Sequence, residues 1–406
     1  MKIKLNIQWR DYQLNTLSTI LSANEGTSHI IKSPRQAGKT TLIQALILHC
    51  AINHKKSISI FVEPTVRQCK KVFRELRGMV EKLPILKTSS ESTMDITLTN
   101  GSQIIFLSAE SDIAALQGYT VKNGGILVFD EAAFIGDDIF QALAPSTDVY
   151  RAKTIFTSTP RFRSGTFYDY FIEGLSSAQV ISHDWGGKTI LTPEKLDFYK
   201  RTLPLNTFKN YYLGEWAEYG SNVFGDISVC LGNSTHSNGC VFGIDWGTGS
   251  SGDDTSICIF NKDKQMVRID SFNDRNATET IEYIISLAEE YKPTKIQVEL
   301  NSIGKVFYEL LQKELKKKGL QTSLIGFNTT NSSKCRLVDS FSVAVQNQEV
   351  GILNDEKLLH QLSIFECKPT GSGKITYSAA KNGHDDMVMS MLLAFDCLKS
   401  GSYSYI

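Results

Sequence analysis

Ser33 to Thr41 reads SPRQAGKTT, and its closing residues are of the kind that grip a polyphosphate. In a loop ending Gly-Lys-Thr, backbone N–H groups ring the β-phosphate, the lysine reaches the β- and γ-phosphates, and the hydroxyl binds Mg²⁺. Gly38, Lys39 and Thr40 supply that ending, with Gln36, Ala37 and Thr41 completing the cradle. Ser33 stands where glycine is usual, which works only if the backbone angles there are not glycine-like. A positive charge, Arg35, lies inside the loop. Further on, "ILVFDE" is an apolar run closed by Asp130 and Glu131. There Asp130 can hold the Mg²⁺ shell and Glu131 can polarise the attacking water. The two motifs together predict ATP hydrolysis. In "WRDYQ" the Gln13 amide could read both edge groups of adenine, and the short hydroxyls of "TSTP" (Ser158, Thr159, Pro160) could sense the γ-phosphate.

A second set of acids lies far downstream. Asp245 ends "FGID", Glu299 lies in "IQVEL", and Asp385 with Asp386 opens "DDMVMSMLLA". An isolated carboxylate in an apolar strand is costly, and carboxylates that converge need a cation to stay ionised. Hard oxygen donors suit Mg²⁺ or Mn²⁺, and two ions about 4 Å apart would activate water and stabilise the leaving oxygen of a phosphodiester. Asp253, Asp254 and His384 are candidate auxiliary groups.

The elements that must position these residues follow from periodicity. "SHIIKS", "SISIFVEP", "SQIIFLSA", "GGILVFDE" and "AKTIFTSTP" read as strands alternating with helical segments, which predicts a mostly parallel sheet covered on both faces. Between residues 160 and 220 the pattern weakens. After it come three short strands, a helix with Asn276 and Glu279 spaced as a capping box, then strand, helix, strand, a helix starting near Lys334, and a final helix. That is an RNase H-like order. The fold class is therefore α/β: a P-loop ATPase core over 1–160, a lid or linker over 161–220, and an RNase H-like nuclease domain over 221–406. Eight scattered cysteines without a CxxC pair read as reduced thiols. A net charge of zero leaves nucleic-acid binding to local basic faces, such as Lys70, Lys71, Arg74 and Arg77 or Lys316 to Lys318. No apolar run is long enough for a membrane span.

In this order, "WRDYQ", "SPRQAGKT", "ILVFDE", "TSTP", "LGEW", "GIDWG", "VEL" and "GHDDMVMSMLLA" resemble the large terminase subunits of tailed bacteriophages, over nearly the whole chain. The resemblance implies a motor that uses ATP to drive double-stranded DNA into a procapsid and a two-metal endonuclease that cuts the concatemer. It implies Mg²⁺ or Mn²⁺ at both centres: Thr40 and Asp130 in one, Asp245, Glu299 and Asp385 or Asp386 in the other. It further implies a portal protein and a small terminase subunit as partners, a homo-oligomeric ring, and a place in the host cytoplasm, transiently docked on the procapsid. Arg35 would donate charge to the γ-phosphate or switch within the site. A trans-acting arginine finger is implied among Arg151, Arg161 and Arg163. Two other readings fit the motifs: a helicase-nuclease of DNA repair, and a DNA-binding assembly ATPase that does not cut.

Overall fold

The computed structural model describes residues 7–176, 179–217, 223–232, 239–247, 254–369, 375–380 and 383–399. They form two compact units. The first runs to Leu196 and resumes at Asn206. The second takes residues 197–205 and the described chain after position 222. The expected boundary near residue 220 falls outside the described residues.

The first unit is built on one sheet. Its strands are β1 (Ser28–Lys32), β2 (Ile58–Glu63), β3 (Leu86–Ser90), β4 (Asp95–Leu98), β5 (Gln103–Ser108), β6 (Ile126–Asp130), β7 (Lys153–Ser158) and β8 (Val180–Asp184), in the order β3-β4-β5-β2-β6-β7-β1-β8. From β5 to β8 neighbours run parallel, whereas β3, β4 and β5 are antiparallel. Every residue of β6 is buried, as befits a parallel strand covered on both faces. The helix Lys39–Asn53 is buried almost all round, which matches its apolar sequence. The antiparallel edge and β8 go beyond the sequence pattern: β3 and β8 are short and have no buried face, and β4 alternates but is only four residues long.

On β1 and β8, His29 Nδ1 and His183 Nε2 lie 3.1 Å apart. Burial drives both below the usual histidine range, His29 to about 3 and His183 to about 4. A depressed histidine contributes stability that is present above the unfolded-state value, near 6.5, and is lost as pH falls through the folded value. The melting temperature is therefore expected to fall as pH drops from about 6.5 toward 4. His29→Gln should flatten that limb in scanning calorimetry.

In the second unit, β9 (Val241–Asp245), β10 (Thr255–Phe260), β11 (Met266–Phe272), β12 (Lys295–Glu299) and β13 (Ser323–Phe327) stand in the order β11-β10-β9-β12-β13. The first three form the expected antiparallel meander, and β12 and β13 follow parallel to β9. A hairpin, β14 (Phe365–Pro369) with β15 (Ile375–Ala379), completes the strands. The Ala277–Tyr291 helix starts with the capping box expected of Asn276 and Glu279. The helix expected near Lys334 begins at Asn331, because the Thr330 side chain caps it by accepting from the Ser333 N–H.

Alternation along β9 sorts its two faces. Phe242 and Ile244 pack with Ile284, Ile285 and Leu311 from two helices. Gly243 lies on the other face, beneath the Asp386–Lys399 helix. A Cβ there would meet Ser390 O at 2.1 Å and Ala394 N at 2.2 Å. Only glycine permits this approach, and it draws the helix's acidic start toward Asp245.

Candidate functional site

The turn after β1 leads straight into the Lys39–Asn53 helix. Gln36 and Gly38 both have positive φ, 59° and 82°, which curl the loop back on itself. Ser33 does not, so its Cβ meets no backbone penalty, although its buried hydroxyl has no hydrogen-bond partner among the described residues. Two residues from the Asp11–Ser22 helix brace the loop: Tyr12 OH donates to Ala37 O at 2.8 Å, and Gln13 Nε2 donates to Gly38 O at 3.1 Å. The other end of the Gln13 amide accepts from the Arg10 N–H at 3.0 Å. Both ends of that buried amide are thus engaged by backbone, not turned outward.

The order β6-β7-β1 sets the acids of β6 one strand away from the loop. Thr40 Oγ1 donates to Asp130 Oδ2 at 2.9 Å, and Thr157 donates to the other oxygen. Lys39 Nζ lies 2.7 Å from Glu131 Oε1. Ser158 Oγ and Thr159 N reach Glu131 Oε2 at 3.3 and 3.4 Å. The Lys39 ammonium also approaches Thr159 Oγ1 at 3.5 Å. Pro160 follows, buried, at the end of β7. Glu131 itself adopts the left-handed conformation, φ 51°, which is strained for a non-glycine residue. Burial, and then the Glu131 charge, push the Asp130 carboxyl upward against the pull of Lys39. The donor set suits a magnesium-bound triphosphate: one hydroxyl and one buried carboxylate for the ion, one lysine and loop N–H groups for phosphate.

Sequence reasoning misses Glu63. It ends β2, next to β6, and is fully buried. Burial, with the charges of Asp130 and Glu131, pushes it up to about 9. The sequence "FVEP" carries the signal, an acid closing an apolar strand in the same way as "VFDE".

The second acid cluster also assembles. Asp245 is buried, and burial first, then a hydrogen bond to Glu299, then the charges of Glu299, Asp386 and Asp385, hold its carboxyl well above the usual range. Asp386 Oδ2 accepts from the Asp254 N–H at 3.1 Å. Asp385 Oδ2 lies 2.7 Å from Lys334 Nζ. His384 Nδ1 is 3.9 Å from Asp386 Oδ2. For Asp254, burial works upward, but hydrogen bonds from Lys357 and Ser271 outweigh it and hold the group low. Asp253 lies outside the described residues. Among the described residues no three acidic, histidine or cysteine groups form a finished metal cage. The carboxylates engage a neighbouring carboxyl, a lysine and an N–H: Asp245 with Glu299, Asp385 with Lys334, and Asp386 with the Asp254 N–H. Their oxygen-only chemistry fits Mg²⁺ or Mn²⁺.

Residues 30–227 match the family model for the N-terminal part of the terminase large subunit, T4likevirus type, and residues 242–397 match the model for the terminase RNaseH-like domain. The chain belongs to the large terminase family. A curated relative, the terminase large subunit of Thermus virus P23-45, is 21% identical over 310 residues, covering 69% of this chain and 62% of that protein. The chain thus matches less than two thirds of that relative's length. A large terminase from a thermophilic bacteriophage shares the fold at 13% identity and a TM-score of 0.57, covering 98% of this chain and 100% of that one. A second structure of that phage protein, in complex with ADP, gives 14% identity and a TM-score of 0.54, covering 95% and 98%.

In this terminase Arg35 does not face the acids. Its guanidinium carbon lies 3.4 Å from the centre of the Tyr211 ring, and its backbone N–H donates to Tyr211 O at 2.6 Å. Several of the basic residues considered for DNA contact are already paired with acids: Lys71 with Glu75, Arg74 with Glu91, Arg77 with Glu81, Lys317 with Glu314 and Lys318 with Glu289. Among the described residues no helix is long and apolar enough to cross a membrane.

Proposed function

We propose that this terminase is a viral DNA-packaging motor: it hydrolyses ATP to move double-stranded DNA into a procapsid and cuts concatemeric DNA with a metal-dependent nuclease centre. The observation that carries the reading is the pairing, in one chain, of Lys39–Glu131 and Thr40–Asp130 around a phosphate loop with Asp245, Glu299, Asp385 and Asp386 gathered at a sheet end. Family membership favours packaging over a repair helicase-nuclease. The working division is an ATPase core over 1–160, a lid over 161–220 and a nuclease domain over 221–406.

In the ATPase centre Lys39 and the loop N–H groups hold the phosphates, and Thr40 with Asp130 would hold Mg²⁺. Glu131 accepts the proton of the attacking water. Ser158 touches Glu131 and Thr159 touches both Glu131 and Lys39, so loss of the γ-phosphate would be felt along β7. The Arg35–Tyr211 stack links the loop to the lid. Gln13 shapes the loop from behind, and an adenine contact would require it to exchange its present bonds.

In the nuclease centre Asp245, Glu299 and the acidic pair would hold Mg²⁺ or Mn²⁺, ions that supply an activated water and charge neutralisation. Grip on phosphates is sequence-independent and weakens with salt, as a general packaging motor requires. The motor would work as a ring with portal and small subunit, in the host cytoplasm while docked on the procapsid. The test is to incubate the purified chain with linear and supercoiled plasmid in Mn²⁺ or EDTA while following phosphate release from ATP. ATP turnover together with Mn²⁺-dependent cutting that EDTA stops is expected. A chain lacking either activity overturns the corresponding half.

A further inference from the structure

Lys334 has no part in the reading so far, yet it lies against the nuclease acids. Its ammonium is 2.7 Å from Asp385 Oδ2, and the two side chains are only 18% and 25% exposed. It stands in the first turn of the Asn331–Gln346 helix, with its Nζ 5.5 Å from the centre of the Phe365 ring. The helix start is anchored by the Thr330–Ser333 cap, so the lysine stem leaves from a fixed backbone. Asn301, two residues beyond Glu299, fastens the preceding loop from two sides: Nδ2 donates to Thr329 O at 2.8 Å, and Oδ1 accepts from Thr329 N at 3.0 Å. The backbone just before the lysine's helix is therefore fixed by Asn301, and its ammonium is met by Asp385.

From this we infer that Lys334 is a catalytic residue of the nuclease centre, donating hydrogen bonds to a non-bridging oxygen of the scissile phosphodiester. The inference rests on the proposed nuclease reading. The reason is one of charge. Asp385 neutralises the ammonium in this structure. Asp385 is one of the residues that would hold a divalent ion, and with its charge shared in that way the half-buried Lys334 ammonium would have room for a second anionic partner. The anion that enters such a site is the phosphodiester. An ammonium within a hydrogen bond of a carboxylate of that centre is placed to meet a phosphate oxygen that enters it. Lys334 transfers no proton. It stabilises negative charge on phosphorus-bound oxygen as water adds and the sugar oxygen leaves, and the preformed cap keeps it in position for that. Nothing in the short stretch "SSKCRL" marks this lysine out, because its role depends on a helix reaching the acidic cluster from a distant part of the chain.

The test compares the full-length protein with Lys334→Ala and Lys334→Arg. Two quantities are read: Mn²⁺ affinity by calorimetry without DNA, and the rate and KM of plasmid cutting. ATP turnover serves as the check that each variant is folded. Lys334→Ala is expected to cut about 100-fold more slowly, the loss typical of one preorganised donor. Its Mn²⁺ affinity should stay equal to wild type or become tighter, since no ammonium competes for Asp385. Lys334→Arg should recover much of the rate. Undiminished cutting by Lys334→Ala, with an active wild type, overturns the inference alone. Slow cutting accompanied by a tenfold loss of Mn²⁺ affinity also overturns it, because Lys334 would then merely orient Asp385. A wild-type chain that does not cut with Mn²⁺ overturns the nuclease reading first, and this inference with it.

Discussion

Glu131→Gln is expected to reduce steady-state ATP turnover about a thousandfold, within the range that general base catalysis supplies. The substitution keeps the side chain's shape and its ability to accept from Ser158 and Thr159, but removes its basicity. It also replaces the charged partner of Lys39, now 2.7 Å away, with a neutral amide. Lys39 is thereby freed to face phosphate, so nucleotide binding should survive or tighten. Phosphate-release kinetics give the turnover, and titration with a fluorescent ATP analogue gives the affinity. Mn²⁺-dependent plasmid cutting should be unaffected. Turnover near the wild-type rate would refute the assignment, whatever the affinity.

Asp245→Asn should have the complementary effect. Plasmid cutting is expected to fall about a thousandfold, the scale of several kcal/mol of lost transition-state stabilisation. ATP turnover should persist. A second consequence follows from burial. Burial and the neighbouring carboxylates raise the Asp245 carboxyl above its usual range, and a group raised in this way contributes stability that is full at low pH and lost as pH rises through its folded value. The asparagine variant has no charge to form, so without metal it should melt above wild type at alkaline pH, with the gap closing toward acid. Metal-dependent cutting that survives, or a gap that grows toward acid, would contradict the role given to this carboxyl.

Much of this is legible in the sequence wherever period and chemistry agree. β6 reads as a buried strand because "ILVF" is apolar throughout, and its acids announce themselves by following it. β9 and the last helix are equally clear. What escapes depends on partners distant along the chain. The role of Gly243 is written in the backbone of residues 390 and 394, not in its neighbours. Gln13 invites an adenine contact because an amide suits one, and in the fold one of its N–H groups already donates to the loop carbonyl of Gly38. Lys334 looks like an ordinary surface charge until a helix start brings it to an acid, and Glu63, marked only by closing an apolar strand, needs the sheet order to set it beside β6. β8 escapes because its residues are only partly covered, so neither face imposes an alternation.

β7 joins two things that would otherwise be separate. Its far end carries Ser158 and Thr159 against Glu131 and Lys39, and at its near end Lys153 Nζ donates to Ile20 O at 2.7 Å. Ile20 belongs to the Asp11–Ser22 helix, whose opposite end carries the Tyr12 and Gln13 bonds to the phosphate loop. Strand, helix and loop thus form a closed mechanical circuit with the nucleotide pocket as one of its links. In the proposed motor, a change at the pocket would therefore reach the amino-terminal helix by two routes, through the loop braces and through Lys153.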